Sequence, residues 1–273
     1  MHIAVLSDLH LGAKNGLDRF GRRREREHQF LSWLDELERI ADVIVLLGDI
    51  FETLRGRWPG APRRELAAIL EAYPTLSRRI LEQDRYRLVQ GNHDTIAGEV
   101  LGAPESLHIE DNNTKLVFFH GHQLSWFERG KAPLSRAGVW AGGWLERAGI
   151  GVTQSIDQRA AQAAQAAAKE RHHNTTLSDH ADHADHADHA APDTPNTFDR
   201  RAIAYGRAQS GEIIITGHTH RAKRIEIDGQ LLLNSGTCVA GRHEYLWLDT
   251  STHRYEVVRE PRAAIAANMS SDA

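Results

Sequence analysis

IAVLSDLH, residues 3–10, decides the reading of this chain. Four apolar residues, Ile3 to Leu6, suit a short buried strand, and the run delivers Asp8 and His10 at its end. The same grammar recurs in VIVLLGDI (43–50), YRLVQGNHD (86–94), KLVFFHGH (115–122) and EIIITGHTH (212–220). One strand ending in a carboxylate or an imidazole means little. Five in order imply that these side chains gather along one edge of a sheet, which is the pattern of a dinuclear metal site.

Working outward, strands 2–7, 43–47 and 86–90 alternate with helical stretches near 25–41 and 63–82. The first of these carries Phe30, Leu31, Leu34, Leu37 and Ile40 near helical spacing. Strands separated by helices predict parallel pairing in the N-terminal part. Further strands are expected near 115–120, 212–216, 223–227, 230–234, 243–249 and 253–259, the C-terminal ones antiparallel, with a tight hairpin turn at Asp228-Gly229. The fold class is therefore mixed α/β and α+β. A single domain is expected over 1–260, followed by a flexible tail at 261–273.

Residues 125–210 interrupt this rhythm. Trp126, Phe127, Trp140 and Trp144 are followed by an Ala/Gln-rich stretch near 158–169, then by a three-residue repeat with His180, His183, His186 and His189. Alanine favours helix, whereas the repeat lacks side chains large enough to build a core. The segment reads as a helical cap insertion containing a disordered, solvated His/Asp/Ala-rich loop at about 172–197.

Composition narrows the function classes. The 273 residues are 41% hydrophobic and carry a net charge of −4, so no global field recruits nucleic acid and none is expected as a partner. A lone cysteine, Cys238, excludes an internal disulfide and suits a reducing compartment. No apolar run is long enough to span a bilayer, and Met1 leads into a strand rather than a signal peptide. A cytoplasmic protein is expected, with peripheral contact with membrane lipid at the inner face left open.

The chemistry follows from the donor types. Two neighbouring divalent cations polarise a phosphoryl group and generate hydroxide at neutral pH. Holding them requires anionic oxygens to offset charge and neutral imidazoles that add none. Asp8 and His10, two residues apart, can share one ion, and Asp49 is the natural bridge.

The ordered set Asp8-Leu9-His10, Gly48-Asp49, Gly91-Asn92-His93-Asp94, His120-Gly121-His122 and Gly217-His218-Thr219-His220 resembles the calcineurin-like metallophosphoesterases. That resemblance implies two packed mixed β-sheets flanked by helices, an αββα sandwich. It assigns Asp8, His10, Asp49 and His220 to a first metal, and Asp49, Asn92, His120 and His218 to a second. It makes His93 a catalytic group, acting as general acid or charge stabiliser at the departing oxygen and oriented by Asp94. His122 would contact substrate, and Asn234 to Thr237 would close the pocket. Gly91 and Gly217 read as turn glycines at strand exits. Manganese is the first choice of metal by similarity; iron, zinc, cobalt and nickel suit the same donors.

Length, the inserted segment and GDIFETLRG further resemble the UDP-2,3-diacylglucosamine pyrophosphatase-like branch. That likeness implies a nucleotide-lipid substrate held by acyl-chain contacts at Trp126 and Trp140, with Arg22 and Arg23 meeting anionic phosphates. One feature departs from the branch, which carries Arg where this chain has His93. A general phosphodiesterase or phosphomonoesterase on small soluble substrates therefore stays open, as does a non-catalytic scaffold that keeps the fold for partner binding.

Overall fold

The computed structural model describes residues 1–15, 18, 20, 21, 24–58, 60–124 and 194–259. The segment read as a cap up to residue 193, Arg22, Arg23, Trp126, Trp140, the His/Asp/Ala repeat and the tail from 260 lie outside the described residues.

In chain order the elements are β1 (His2–Leu6), α1 (Arg24–Ile40), β2 (Val43–Leu47), α2 (Pro62–Ala72), α3 (Pro74–Glu82), β3 (Tyr86–Val89), α4 (Ile96–Leu101), β4 (Ser106–Asp111) and β5 (Thr114–Phe119). After the insertion come α5 (Thr197–Ala208), β6 (Ile213–Thr216), β7 (Lys223–Ile227), β8 (Gln230–Asn234), β9 (Tyr245–Asp249) and β10 (Arg254–Val258). The strands form two sheets of five, ordered β10-β9-β1-β2-β3 and β4-β5-β6-β8-β7.

The apolar runs are continuous because the central strands are buried on both faces. In β1, Ile3 and Val5 face the interior between the sheets, meeting Leu116, Phe118, Ile215 and Leu233. Ala4 and Leu6 face the other way, against Phe30, Leu34 and Leu37 of α1 and Leu66, Ile69, Leu76 and Ile80 of α2 and α3. The second sheet repeats the arrangement, turning Val117, Phe119, Ile214 and Leu232 toward Ala202 and Ile203 of α5. This is the αββα sandwich the sequence implied.

Register places the site. β1, β2 and β3 run parallel in one sheet, as do β5, β6 and β8 in the other. The five ligand-bearing ends, after β1, β2, β3, β5 and β6, therefore project from matching edges of the sandwich.

Three details differ from the sequence reading. The helix expected over 63–82 is two, because Pro74 lacks an amide hydrogen and opens α3 directly after Tyr73. The C-terminal strands are only partly antiparallel: β7 pairs antiparallel with β8, but the hairpin returns β8 alongside β6 in parallel. β4 was not expected; it forms an edge hairpin with β5 through Asn112 and Asn113, both at positive φ. The turn expected at Asp228-Gly229 is present, with φ of 51° and 72°.

Candidate metal centre

The site is assembled by backbone that leaves its strands abruptly. Asp8, His10, Asp49, His218 and His220 all have φ between 49° and 70°. A non-glycine residue with positive φ is uncommon, and each costs on the order of 1–3 kcal/mol. Strand alternation therefore does not bring Asp8 and His10 together; successive left-handed turns do. The first of these turns runs beside Asp49, with His10 N–H donating to the Asp49 carbonyl at 2.9 Å and Asp8 N–H to the Gly48 carbonyl at 3.1 Å.

Each inner side chain has one polar atom fixed by the scaffold and another turned inward. Asp8 Oδ2 accepts from the Ser7 hydroxyl and from His218 N–H (3.1 Å), while Oδ1 is buried with no hydrogen-bond partner. His10 binds Glu52 through Nδ1 at 3.1 Å, directing Nε2 toward Asp8 and Asp49. His120 Nδ1 donates to the Leu47 carbonyl at 2.8 Å, and its buried Nε2, 3.2 Å from Asp49 Oδ2, lacks hydrogen-bond alignment. Asp49 Oδ1 accepts from His93 N–H at 2.8 Å. Asn92 Oδ1 is likewise buried and unpartnered.

Burying donors and acceptors without partners costs free energy that a fold rarely tolerates unless something else is bound there. The atoms group accordingly. Asp8, His10 and His220 bring one donor atom each within 4.8 Å of one another, and so do Asp49, His120 and His218. A third grouping at the same spacing is His10, Asp49 and His93. Carboxylates, imidazoles and one amide oxygen suit borderline divalent cations. Although burial alone would lower the His120 pKa, Asp49 and Asp8 raise it to about 10. The field that favours a proton on this ring also favours a cation beside it.

His93 stands at the rim of this cluster, its ring edge-on to His10 at 4.7 Å. Its partner is not the one expected. Glu52, 1% exposed, accepts at Oε1 from His93 Nδ1 (2.9 Å) and faces His10 Nδ1 with Oε2 (3.1 Å), so one carboxylate orients both rings. Burial opposes charge on His93, but Glu52 and Asp49 raise its pKa to about 9. Glu52 in turn is held well below the usual carboxylate range, because His93 and His10 outweigh its burial.

Asp94, expected beside His93 as a catalytic group, is bonded to the backbone around Asp49. Its carboxylate accepts from the amides of Asp49, Ile50, Phe51 and Gly91 at 2.6–3.3 Å, fixing the turn that presents Asp49. Burial, with the nearby Asp49 charge, raises its pKa to about 6. The segment Asn234 to Thr237 also supports rather than closes the site. Ser235 Oγ lies 2.7 Å from Ser7 Oγ, and Thr237 Oγ1 donates to the Asp8 carbonyl at 3.1 Å. Gly91 and Gly217 are close-approach glycines, neither with positive φ. A Cβ at Gly91 would lie 2.2 Å from Asp49 Oδ1, and one at Gly217 2.6 Å from Ser7 Oγ. His122 lines the same region, its ring 5.7 Å from that of His120, with a buried, unpartnered Nδ1 and a pKa lowered to about 3 by burial and by His120.

Sequence reading missed Glu52 and Ser7. The signal for Glu52 was a carboxylate three residues after Asp49 in an otherwise apolar run. Ser7 gave none.

Residues 1–222 match the family model described as calcineurin-like phosphoesterase. No curated protein sequence matches the chain. Solved structures similar to it include Vps29 complexed with zinc from Entamoeba histolytica (15% identity, TM-score 0.40, covering 95% of this chain and 99% of that one). The phosphoesterase Yfce from E. coli is another (14%, TM-score 0.40, 95% and 99%). A third is a predicted phosphoesterase from Streptococcus pneumoniae TIGR4 (15%, TM-score 0.37, 95% and 97%).

Proposed function

The chain belongs to the calcineurin-like phosphoesterase family, and from that premise we propose that it is a dinuclear metal-dependent hydrolase of phosphate esters or diphosphates. The observation that carries this reading is the pair of three-donor clusters, Asp8/His10/His220 and Asp49/His120/His218, whose inward atoms include buried ones left unpartnered by the protein. By the family resemblance, Asn92, whose Oδ1 is buried and unpartnered, would add a neutral oxygen to the second cluster, and Asp49 would serve both. Two divalent cations held there would polarise a phosphoryl oxygen and make water a stronger acid; manganese is the first choice.

The protein's own residues do the rest. Glu52 holds His93 Nδ1 and favours a proton on the ring, leaving Nε2 to donate to the departing oxygen or to stabilise its charge. Glu52 keeps His10 and His93 in fixed relation, so substrate orientation and ligand orientation are set by one side chain. Among the described residues no helix is long and apolar enough to cross a membrane. The nucleotide-lipid reading stands on sequence resemblance, since its proposed contacts at Arg22, Arg23, Trp126 and Trp140 lie outside the described residues.

The test is a manganese-supplemented panel on purified protein, with metal content measured on the same samples. UDP-diacylglucosamine in detergent micelles is set against bis-p-nitrophenyl phosphate and p-nitrophenyl phosphate. Turnover of any one supports the hydrolase; preference for the nucleotide lipid selects that branch, and preference for a small ester selects a general phosphoesterase. A metal-loaded protein that hydrolyses none of them would overturn the reading.

A further inference from the structure

Asp8 leaves β1 and is held from the opposite sheet. Thr237 Oγ1 and Cys238 N–H, beyond the end of β8, donate to the Asp8 carbonyl at 3.1 and 3.3 Å. Its side chain is approached from the same quarter. Ser7 Oγ bonds to Asp8 Oδ2 and lies 2.7 Å from Ser235 Oγ and 3.3 Å from the Gly236 carbonyl. Ser7, Asp8 and Ser235 have no exposed surface, so water does not compete for these bonds.

Hydrogen counting gives these bonds a direction. Ser7 has one hydroxyl hydrogen and three acceptors within reach, of which the carboxylate alone is charged and is therefore the strongest. With that hydrogen committed to Asp8, Ser235 supplies its own to Ser7 Oγ. The other acceptor near the Ser235 hydroxyl, the Thr216 carbonyl at 3.3 Å, is already engaged by Ser235 N–H at 2.9 Å. The relay runs from Ser235 through Ser7 to Asp8, crossing from the end of β8 in one sheet to the end of β1 in the other.

The two oxygens of Asp8 are thereby made unequal. An ionised carboxylate oxygen offers about two lone-pair sites. Oδ2 accepts from Ser7 and from His218 N–H at 3.1 Å, which fills both. Gly217 permits the second bond, since a Cβ there would lie 3.0 Å from Oδ2. Oδ1, buried and without a hydrogen bond, faces His220 Nε2 at 3.0 Å. Only Oδ1 is left for an ion.

We propose that Ser235 and Ser7 are positioning residues that restrict Asp8 to coordination through one oxygen, biasing the Asp8/His10/His220 cluster towards compact octahedral cations such as manganese and against calcium. The inference rests on the metal-centre reading above. Calcium favours a larger oxygen shell and readily takes both atoms of a carboxylate, whereas a compact octahedral ion is served by one.

The test is calorimetric titration of the chelator-treated full chain with manganese, followed by displacement with calcium. Wild type is compared with Ser7→Ala, Ser235→Ala and the double variant, with thermal unfolding as the control for folding. Asp8→Ala identifies the binding event that belongs to this cluster. In Ser7→Ala the manganese affinity of that event should fall by roughly 10–100-fold, and calcium should displace the ion at correspondingly lower concentration. Ser235→Ala should weaken it less, because Ser7 keeps its own hydrogen, and the double variant should match Ser7→Ala. Unchanged manganese affinity in Ser7→Ala would overturn the proposal, as would equal weakening of manganese and calcium or additive losses in the double variant. Should Ser7→Ala not fold, Ser235→Ala carries the test, and a loss spread over both binding events would overturn it. Absence of any manganese binding by wild type would overturn the metal centre and this assignment together. If the expected shifts appear but wild type hydrolyses none of the substrates above, the hydrolase reading fails and the assignment stands.

Discussion

The proposed metal centre has an inner half and an outer half, built on different principles. Asp8, His10, Asp49 and His120 are at most 2% exposed, and the backbone or a buried side chain fixes one polar atom of each. His218 and His220 sit on the loop after β6 and are partly exposed. His218 leans on Phe198 of α5, with ring centroids 6.3 Å apart, and His220 Nε2 lies 3.0 Å from Asp8 Oδ1. In the proposed centre, the protein itself fixes the donors of the inner half, whereas His220 of the outer half faces a ligand-set oxygen directly.

Asp49→Ala should break the comparison most completely, since Asp49 faces His120 at 3.2 Å and His10 at 3.8 Å. Hydrolysis should fall to background and metal content should drop with it, as read by elemental analysis of the purified variant. Two bound ions per chain in that variant would remove Asp49 from the ligand set.

Next in size is His93→Ala. Because His93 belongs to the proton-transfer side of the rim, turnover should fall by about 10²–10⁴-fold with metal content unchanged. Loss of metal would instead make His93 a ligand, as its grouping with His10 and Asp49 allows geometrically. Glu52→Gln should follow, with a drop of roughly 10–100-fold shared between turnover and metal affinity. Gln can still accept from one imidazole but no longer carries the charge that keeps His93 protonated. A variant with full activity and a normal metal affinity would deny Glu52 its role in joining the halves.

How far the sequence disclosed all this depends on which forces were local. The ligand-bearing strands were legible because double-sided burial produces unbroken apolar runs such as Ile3 to Leu6 and Val43 to Leu47. β4 was not, because SLHIED lies at a sheet edge with alternating exposure and only moderate apolar content. That Glu52, and not Asp94, holds the His93 ring nitrogen was not legible, for a physical reason. Asp94 adjoins His93 in sequence, but three amides of the Asp49 turn and that of Gly91 claim its carboxylate, and they converge only once that turn has formed. Glu52 is 41 residues from His93, and only the pairing of β2 with β3 makes them neighbours. Asp94→Asn tests whether Asp94 acts through the backbone it holds. An amide cannot accept from all four donors with both heteroatoms, so stability should fall by about 1–3 kcal/mol in denaturant unfolding. The pH dependence of turnover should still report the His93–Glu52 pair.

The smallest effect distinguishes the halves most sharply. Asn196 caps α5 through its side chain, accepting from Asp199 N–H at 2.9 Å, while the Asp199 carboxylate accepts from Asn196 N–H at 2.8 Å. That cap fixes the first turn of α5, where Phe198 closes over Gly121 and His218. Asn196→Ala should cost about 1 kcal/mol of stability. It should also loosen His218, the outer member of the Asp49/His120 cluster, while leaving the pinned atoms of Asp8, His10, Asp49 and His120 untouched. Stepwise metal titration followed by calorimetry should then show one weakened binding event beside one of wild-type strength. Two events weakened alike would mean that His218 and His220 loosen together on the loop after β6, one in each cluster.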